Sequence, residues 1–109
     1  MSKLFLKENP TLGDIQQYVR DLEAERGFTE HGVVDQSLLL VEEIGELCKV
    51  IRKYHTNMGI DTAKKYELDA AGEVADVIIM LTAVANRLGV DMEQALRNKE
   101  EQNKQRTWK

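Results

Sequence analysis

Apolar residues recur along this chain at helical spacing, without the alternation expected of strands. Leu12, Ile15, Tyr18, Val19 and Leu22 line one side of a helix predicted over residues 12–26, with Thr11 placed to cap it and Gly27 to stop it. A short polar stretch, 27–34, links to a second helix, for which Asp35 is the expected N-cap. That helix is expected to run to about residue 54, with Leu38, Leu40, Val41, Ile44, Leu47, Cys48 and Ile51 as its apolar set. A loop is expected over 55–60 and a weak turn from Asp61, because 64–67 is polar. The third helix is expected over 68–88, with Gly89 ending it. Its apolar residues, Val74, Val77, Ile78, Leu81, Val84 and Leu88 among them, cover more than one face, and such a helix must be surrounded. Three other short helices hardly suffice for that, so partner chains are expected. Asp91 caps a fourth helix that turns strongly polar beyond Leu96. With no hairpin signal anywhere, the expected fold is all-α, about four helices in a single domain over 1–109.

Composition narrows the chemistry. Aromatics are only 6%, so the core must be aliphatic. The net charge of -4 argues against a bulk electrostatic grip on nucleic acid. A single cysteine, Cys48, excludes an intrachain disulfide and a thiolate zinc cluster within one chain, and reads as a small buried hydrophobe. No apolar stretch is long enough to span a bilayer, and the first residues lack a secretory apolar core. A cytoplasmic chain without a membrane partner is therefore expected. His31 and His55 fall in the expected loops and take no assigned role.

The informative residues are acids inside apolar helices. Glu43 and Glu46 are neighbours at i, i+3, as are Glu42 and Glu46 at i, i+4, and Glu73 with Asp76 repeats the pattern in the most apolar helix. Asp69 lies one turn before Glu73, as an outer ligand or a solvent-facing helix start. Ionised carboxylates brought together repel, and burial adds a desolvation cost. A hard divalent cation resolves both problems. Oxygen-only ligation points to Mg²⁺ or Mn²⁺ rather than Zn²⁺. The same pairs also read as solvated helix surface, since Glu is a good helix former. Against that, both lie in the two most apolar helices, and each adjoins an interior glycine, Gly45 or Gly72, suited to close helix approach or to ordinary packing.

Glu42-Glu43-Ile44-Gly45-Glu46-Leu47 followed by Glu73-Val74-Ala75-Asp76, with 26 residues between Glu46 and Glu73, resembles the EExxE…ExxD signature of the MazG-like, all-α nucleoside triphosphate pyrophosphohydrolases. The resemblance extends over about 12–108 and takes in Glu25-Arg26-Gly27-Phe28 and the polar tail from Lys99 to Lys109. It implies hydrolysis of (d)NTPs to monophosphate and pyrophosphate with Mg²⁺, in an active-site four-helix bundle completed by dimers or tetramers. It also implies that Glu43, Glu46, Glu73 and Asp76 are the metal ligands, and that Glu42 or Glu43 orients or deprotonates the attacking water. Other branches act on dUTP, dCTP or phosphoribosyl-ATP, and a role in removing non-canonical nucleotides would fit.

Lys99, Asn103 and Arg106 fall at i, i+4 and i+7, as one face of the fourth helix. They could hold phosphate oxygens or simply form a solvated helix end. Arg52 and Lys53 are weaker phosphate candidates. Trp108 and Phe28 either stack on a base or cover an interface. Three other classes compete: a non-catalytic helical interaction module that keeps the fold, a helix-turn-helix regulator over 86–96, and a di-iron carboxylate bundle. The acidic charge counts against the regulator, and the absence of any Glu-x-x-His counts against the bundle.

Overall fold

A computed structural model of the chain describes residues 1–55 and 70–108. Residues 56–60 of the loop expected over 55–60, the turn from Asp61, and Leu68 and Asp69 lie outside the described residues. Four helices follow in order: α1 Leu12–Arg26, α2 Val33–His55, α3 Ala70–Arg87 and α4 Met92–Lys104. No strand occurs among the described residues. None of their helices is long and apolar enough to cross a membrane.

Local chemistry explains the ends of α1. The Thr11 hydroxyl accepts from the Asp14 amide at 3.0 Å, and the Asp14 carboxylate accepts from the Thr11 amide at 2.9 Å, a reciprocal capping box. Those hydrogen bonds, with Lys7 beside the carboxylate, hold the Asp14 carboxyl below its ordinary range. Gly27 closes the helix at φ 78°, a left-handed conformation that costs glycine little. Asp91 caps α4 through the Gln94 amide at 3.0 Å, as expected.

Two boundaries differ from expectation. The Gly32 carbonyl accepts from the Gln36 amide at 3.0 Å, so α2 already begins at Val33. Asp35 is therefore not the cap but sits inside the first turn, where its charge complements the helix dipole. His55 is the last residue of α2 instead of a loop residue.

The main packing is α2 along α3, with α1 laid across α3 and α4 against α1. Val19, Leu22 and Ala83 form the buried centre, with Leu4, Ile15, Tyr18 and Ile79 around them. Buried Gln16 organises the other end. Its amide donates to Asn86 Oδ1 at 2.9 Å and to the Val90 carbonyl at 2.8 Å, and accepts from the Met92 amide at 3.0 Å. Those bonds tie α1 to the end of α3, to the turn after it and to the start of α4, so the polar group is buried without penalty.

One face is left bare. Leu38, Val41 and Ile44 of α2 are 61%, 64% and 42% exposed, and Val74, Ile78 and Leu81 of α3 are about as open. Cys48 lies on this side and is exposed, correcting the expectation that it is buried: nothing among the described residues covers it. A Cβ added at Gly45 would likewise meet open space. The radius of gyration is 17.0 Å, against about 13 Å for a compact chain of this length.

Candidate metal centre

The α2–α3 contact brings acids from two helices together. Glu43 on α2 and Glu73 and Asp76 on α3 each offer a carboxylate oxygen, and these oxygens lie within 4.8 Å of one another. Glu43 and Glu73 are half-buried and Asp76 is exposed. Glu73 Oε2 is buried with no hydrogen-bond partner. Three converging carboxylates, one of them with an unpartnered oxygen, are the donor set a hard cation requires, so these residues fit a divalent metal.

The electrostatics agree. Burial pushes the Glu43 carboxyl above the ordinary carboxylate range, and the negative charges of Asp76, Glu73, Glu46 and Glu42 push it the same way. Glu42 and Glu46 are exposed, and Glu46 stands outside the three-oxygen group while adding to the field at Glu43.

A pH dependence follows from the raised Glu43. The native chain holds this proton more tightly than the unfolded chain does, so the group favours the fold below its ordinary value of 4.5. That contribution is lost as pH rises from there through the raised value. Metal-free protein should therefore lose thermal stability from Glu43 as pH climbs from about 4 to 7, and added Mg²⁺ should restore it. Melting curves of the wild type and Glu43→Gln test this; an identical pH slope in the two would contradict it.

Asp76 also reaches the wall of a cavity of about 350 Å³. Its lining includes Arg26, Phe28, His31, Gln36, Leu39 and Met80. The Phe28 and His31 rings stack, with centroids 5.7 Å apart and planes 18° apart. Gln36 is 4% exposed, and its Oε1, like His31 Nδ1, is buried without a partner. A larger groove, about 740 Å³, runs between the start of α1 and α4 but contains none of the acids of the centre.

The tail is arranged differently from the expectation. α4 ends at Lys104, so Arg106 is not on its face with Lys99 and Asn103. The Arg106 amide turns back to the Asn103 carbonyl at 3.1 Å, and its guanidinium lies 4.5 Å from the centre of the Trp108 ring. The Trp108 indole also donates to the Asn103 carbonyl, at 3.1 Å. Lys99 is exposed, Asn103 Oδ1 is buried and unpartnered, and Lys53 is buried in α2. α4, which carries Lys99 and Asn103, packs on α1, while the acids stand on α2 and α3.

Sequence reasoning missed Glu23, Gln36 and Arg87. Glu23 and Gln36 had a signal, since both follow the apolar spacing of their helices and so had to be buried. Arg87, in the last turn of α3, carries no such signal.

No family model matches the chain. Mouse dCTP pyrophosphatase 1 is 37% identical over 100 residues, which cover 89% of this chain and 59% of the mouse protein. A dATP/dGTP diphosphohydrolase of Salmonella phage PMBT28 is 32% identical over 98 residues, or 90% of this chain and 28% of the phage protein. Most of this chain thus aligns with proteins named as nucleotide pyrophosphatases or diphosphohydrolases, in keeping with the resemblance of its acidic pairs to the MazG-like pyrophosphohydrolases. The uncharacterized protein YvdC of Bacillus subtilis (strain 168) is 29% identical over 97 residues, covering 83% of this chain and 90% of that protein. The likeness accords with the helical fold and with acids converging from α2 and α3. The chain spans little more than half the length of the mouse relative.

Proposed function

We propose that this chain is a metal-dependent nucleotide pyrophosphohydrolase that cleaves a (d)NTP to the (d)NMP and pyrophosphate. The observation that carries this reading is the convergence of Glu43, Glu73 and Asp76, with one Glu73 oxygen buried and unpartnered, beside a cavity that shares Asp76. Glu43, Glu46, Glu73 and Asp76 would hold Mg²⁺, or Mn²⁺ in its place, with Glu46 drawn in from its exposed position. When bound, the cation neutralises and polarises the phosphates and lowers the pKa of the attacking water. Glu42 or Glu43 then orients that water or takes its proton.

The cavity would receive the nucleobase, with the Phe28–His31 stack against its face and the Gln36 amide at its edge. The relatives' names carry different bases, dCTP in one and dATP or dGTP in another, so the substrate proposed is the deoxynucleoside triphosphate class. Lys99, Asn103 and Arg106 are proposed phosphate contacts, to a site that another copy of the chain brings near. The bare α2–α3 face supports a homodimer or homotetramer. Exposed, free Cys48 fits the reducing cytoplasm. Residues 1–109 are read as one catalytic domain.

The test is pyrophosphate release from a panel of canonical and modified (d)NTPs, with Mg²⁺ and with EDTA. Metal-dependent release with an equal yield of monophosphate is expected. Silence across the panel and with phosphoribosyl-ATP, from folded protein, would favour a non-catalytic helical module.

A further inference from the structure

We propose that Arg87 is a positioning residue that sets the base pocket for its substrate, clamping the Phe28–His31 wall through its whole guanidinium. This rests on the cavity being the nucleobase site. Arg87 lies eleven residues beyond Asp76 on α3, close to three full turns, so both face the same side about 16 Å apart along the axis. Between them that side presents Ile79, Met80 and Ala83 to the cavity. One strip of α3 thus runs from the acids, past the cavity, to the clamp.

All five N–H groups of the guanidinium are used. Nε donates to the His31 carbonyl at 2.7 Å. Nη1 donates to Glu23 Oε1 at 2.9 Å and to the Ala83 carbonyl at 3.0 Å. Nη2 donates to Glu23 Oε2 at 2.6 Å and to the Phe28 carbonyl at 3.0 Å. Both side chains of the ion pair are largely buried, at 14% and 10% exposure. Glu23 holds the fork in plane from α1, so its free donors point at the two carbonyls of the loop.

Those two carbonyls belong to the residues whose rings stack as the cavity wall. The backbone bonds of this segment are local, from the Phe28 amide to Glu23 and from the His31 amide to Phe28. They shape the turn without fixing its distance from α3. Arg87 supplies that distance. Lysine would keep the charge opposite Glu23, but its three donors on one nitrogen cannot span five acceptors in a plane.

A purely structural clamp would affect only stability, so the test reads base selection. Arg87→Lys and Glu23→Gln are made in the full chain, with circular dichroism and light scattering to establish fold and assembly. Each is assayed on deoxynucleoside triphosphates that differ only in the base, and on deoxyribose 5-triphosphate, which has none. For Arg87→Lys, KM of the preferred nucleotide should rise roughly tenfold and the spread of kcat/KM across bases should shrink by about as much. kcat should change far less, and the base-free triphosphate should be affected least. Glu23→Gln, which keeps one neutral acceptor for the fork, should show a smaller shift of the same kind and decides the matter if Arg87→Lys does not fold. Variants that melt earlier yet keep KM and base ranking would overturn the clamp. A wild type without activity on any nucleotide would overturn the pyrophosphohydrolase reading, and the clamp with it.

Discussion

Glu73→Gln should abolish turnover and raise the melting temperature of the metal-free protein. The two effects share one cause. Glu73 is half-buried beside Glu43 and Asp76, and its buried Oε2 has no partner. Without metal, that oxygen adds negative charge to a crowded site and gains no hydrogen bond in return. Replacing the carboxylate by an amide removes one charge from the group and relieves Glu43, whose proton affinity its neighbours raise. With metal, the same change removes a ligand. Loss of a group that merely supports a ligand typically costs about 10–100-fold in affinity or activity, so loss of the ligand should cost at least about 100-fold in kcat/KM. Asp76→Asn should behave alike in activity. Steady-state pyrophosphate release and melting curves in chelator check both halves. Near-normal turnover in either variant would mean that the metal is held elsewhere.

Leu38→Glu combined with Ile78→Glu should convert the protein from an oligomer to a single chain. Leu38 is 61% exposed and Ile78 46%, within an apolar face spread over α2 and α3. Covering each such side chain contributes on the order of 1 kcal/mol, summed over both copies. Glutamate keeps the helices, being a good helix former, but a buried unpaired carboxylate costs several kcal/mol. Light scattering should give a multiple of the chain mass for the wild type and the mass of one chain for the variant. The wild-type melting temperature should also rise with protein concentration, and that of the variant should not. A wild type that runs as one chain at micromolar concentration would remove the shared bundle from the account.

Much of the fold was legible because it is local. Thr11 with Asp14, Gly27, and Asp91 with Gln94 act across three or four residues, and the structure places them as the spacing predicts. The start of α2 was misplaced because Gly32 could serve as the first acceptor, which leaves a good capping side chain such as Asp35 one turn inside. Arg106 was misplaced because a helical pattern continues on paper past the point where the backbone turns back to Asn103. Cys48 was expected to be buried because apolar periodicity does not say which chain does the covering.

The site divides the same way. The i, i+3 pairing of Glu43 with Glu46 and of Glu73 with Asp76 needs only helical pitch, so spacing alone puts acids on a shared face of each of two apolar helices. Which of them meet was decided by how α2 lies along α3. Glu43 joins Glu73 and Asp76 while Glu46, one turn on, stays outside. The cavity and the five-donor clamp of Arg87 join residues up to 64 positions apart. Periodicity fixes a direction around one helix axis. It does not fix the angle and distance between two axes, and those set whether charges, rings and carbonyls from separate helices come within reach.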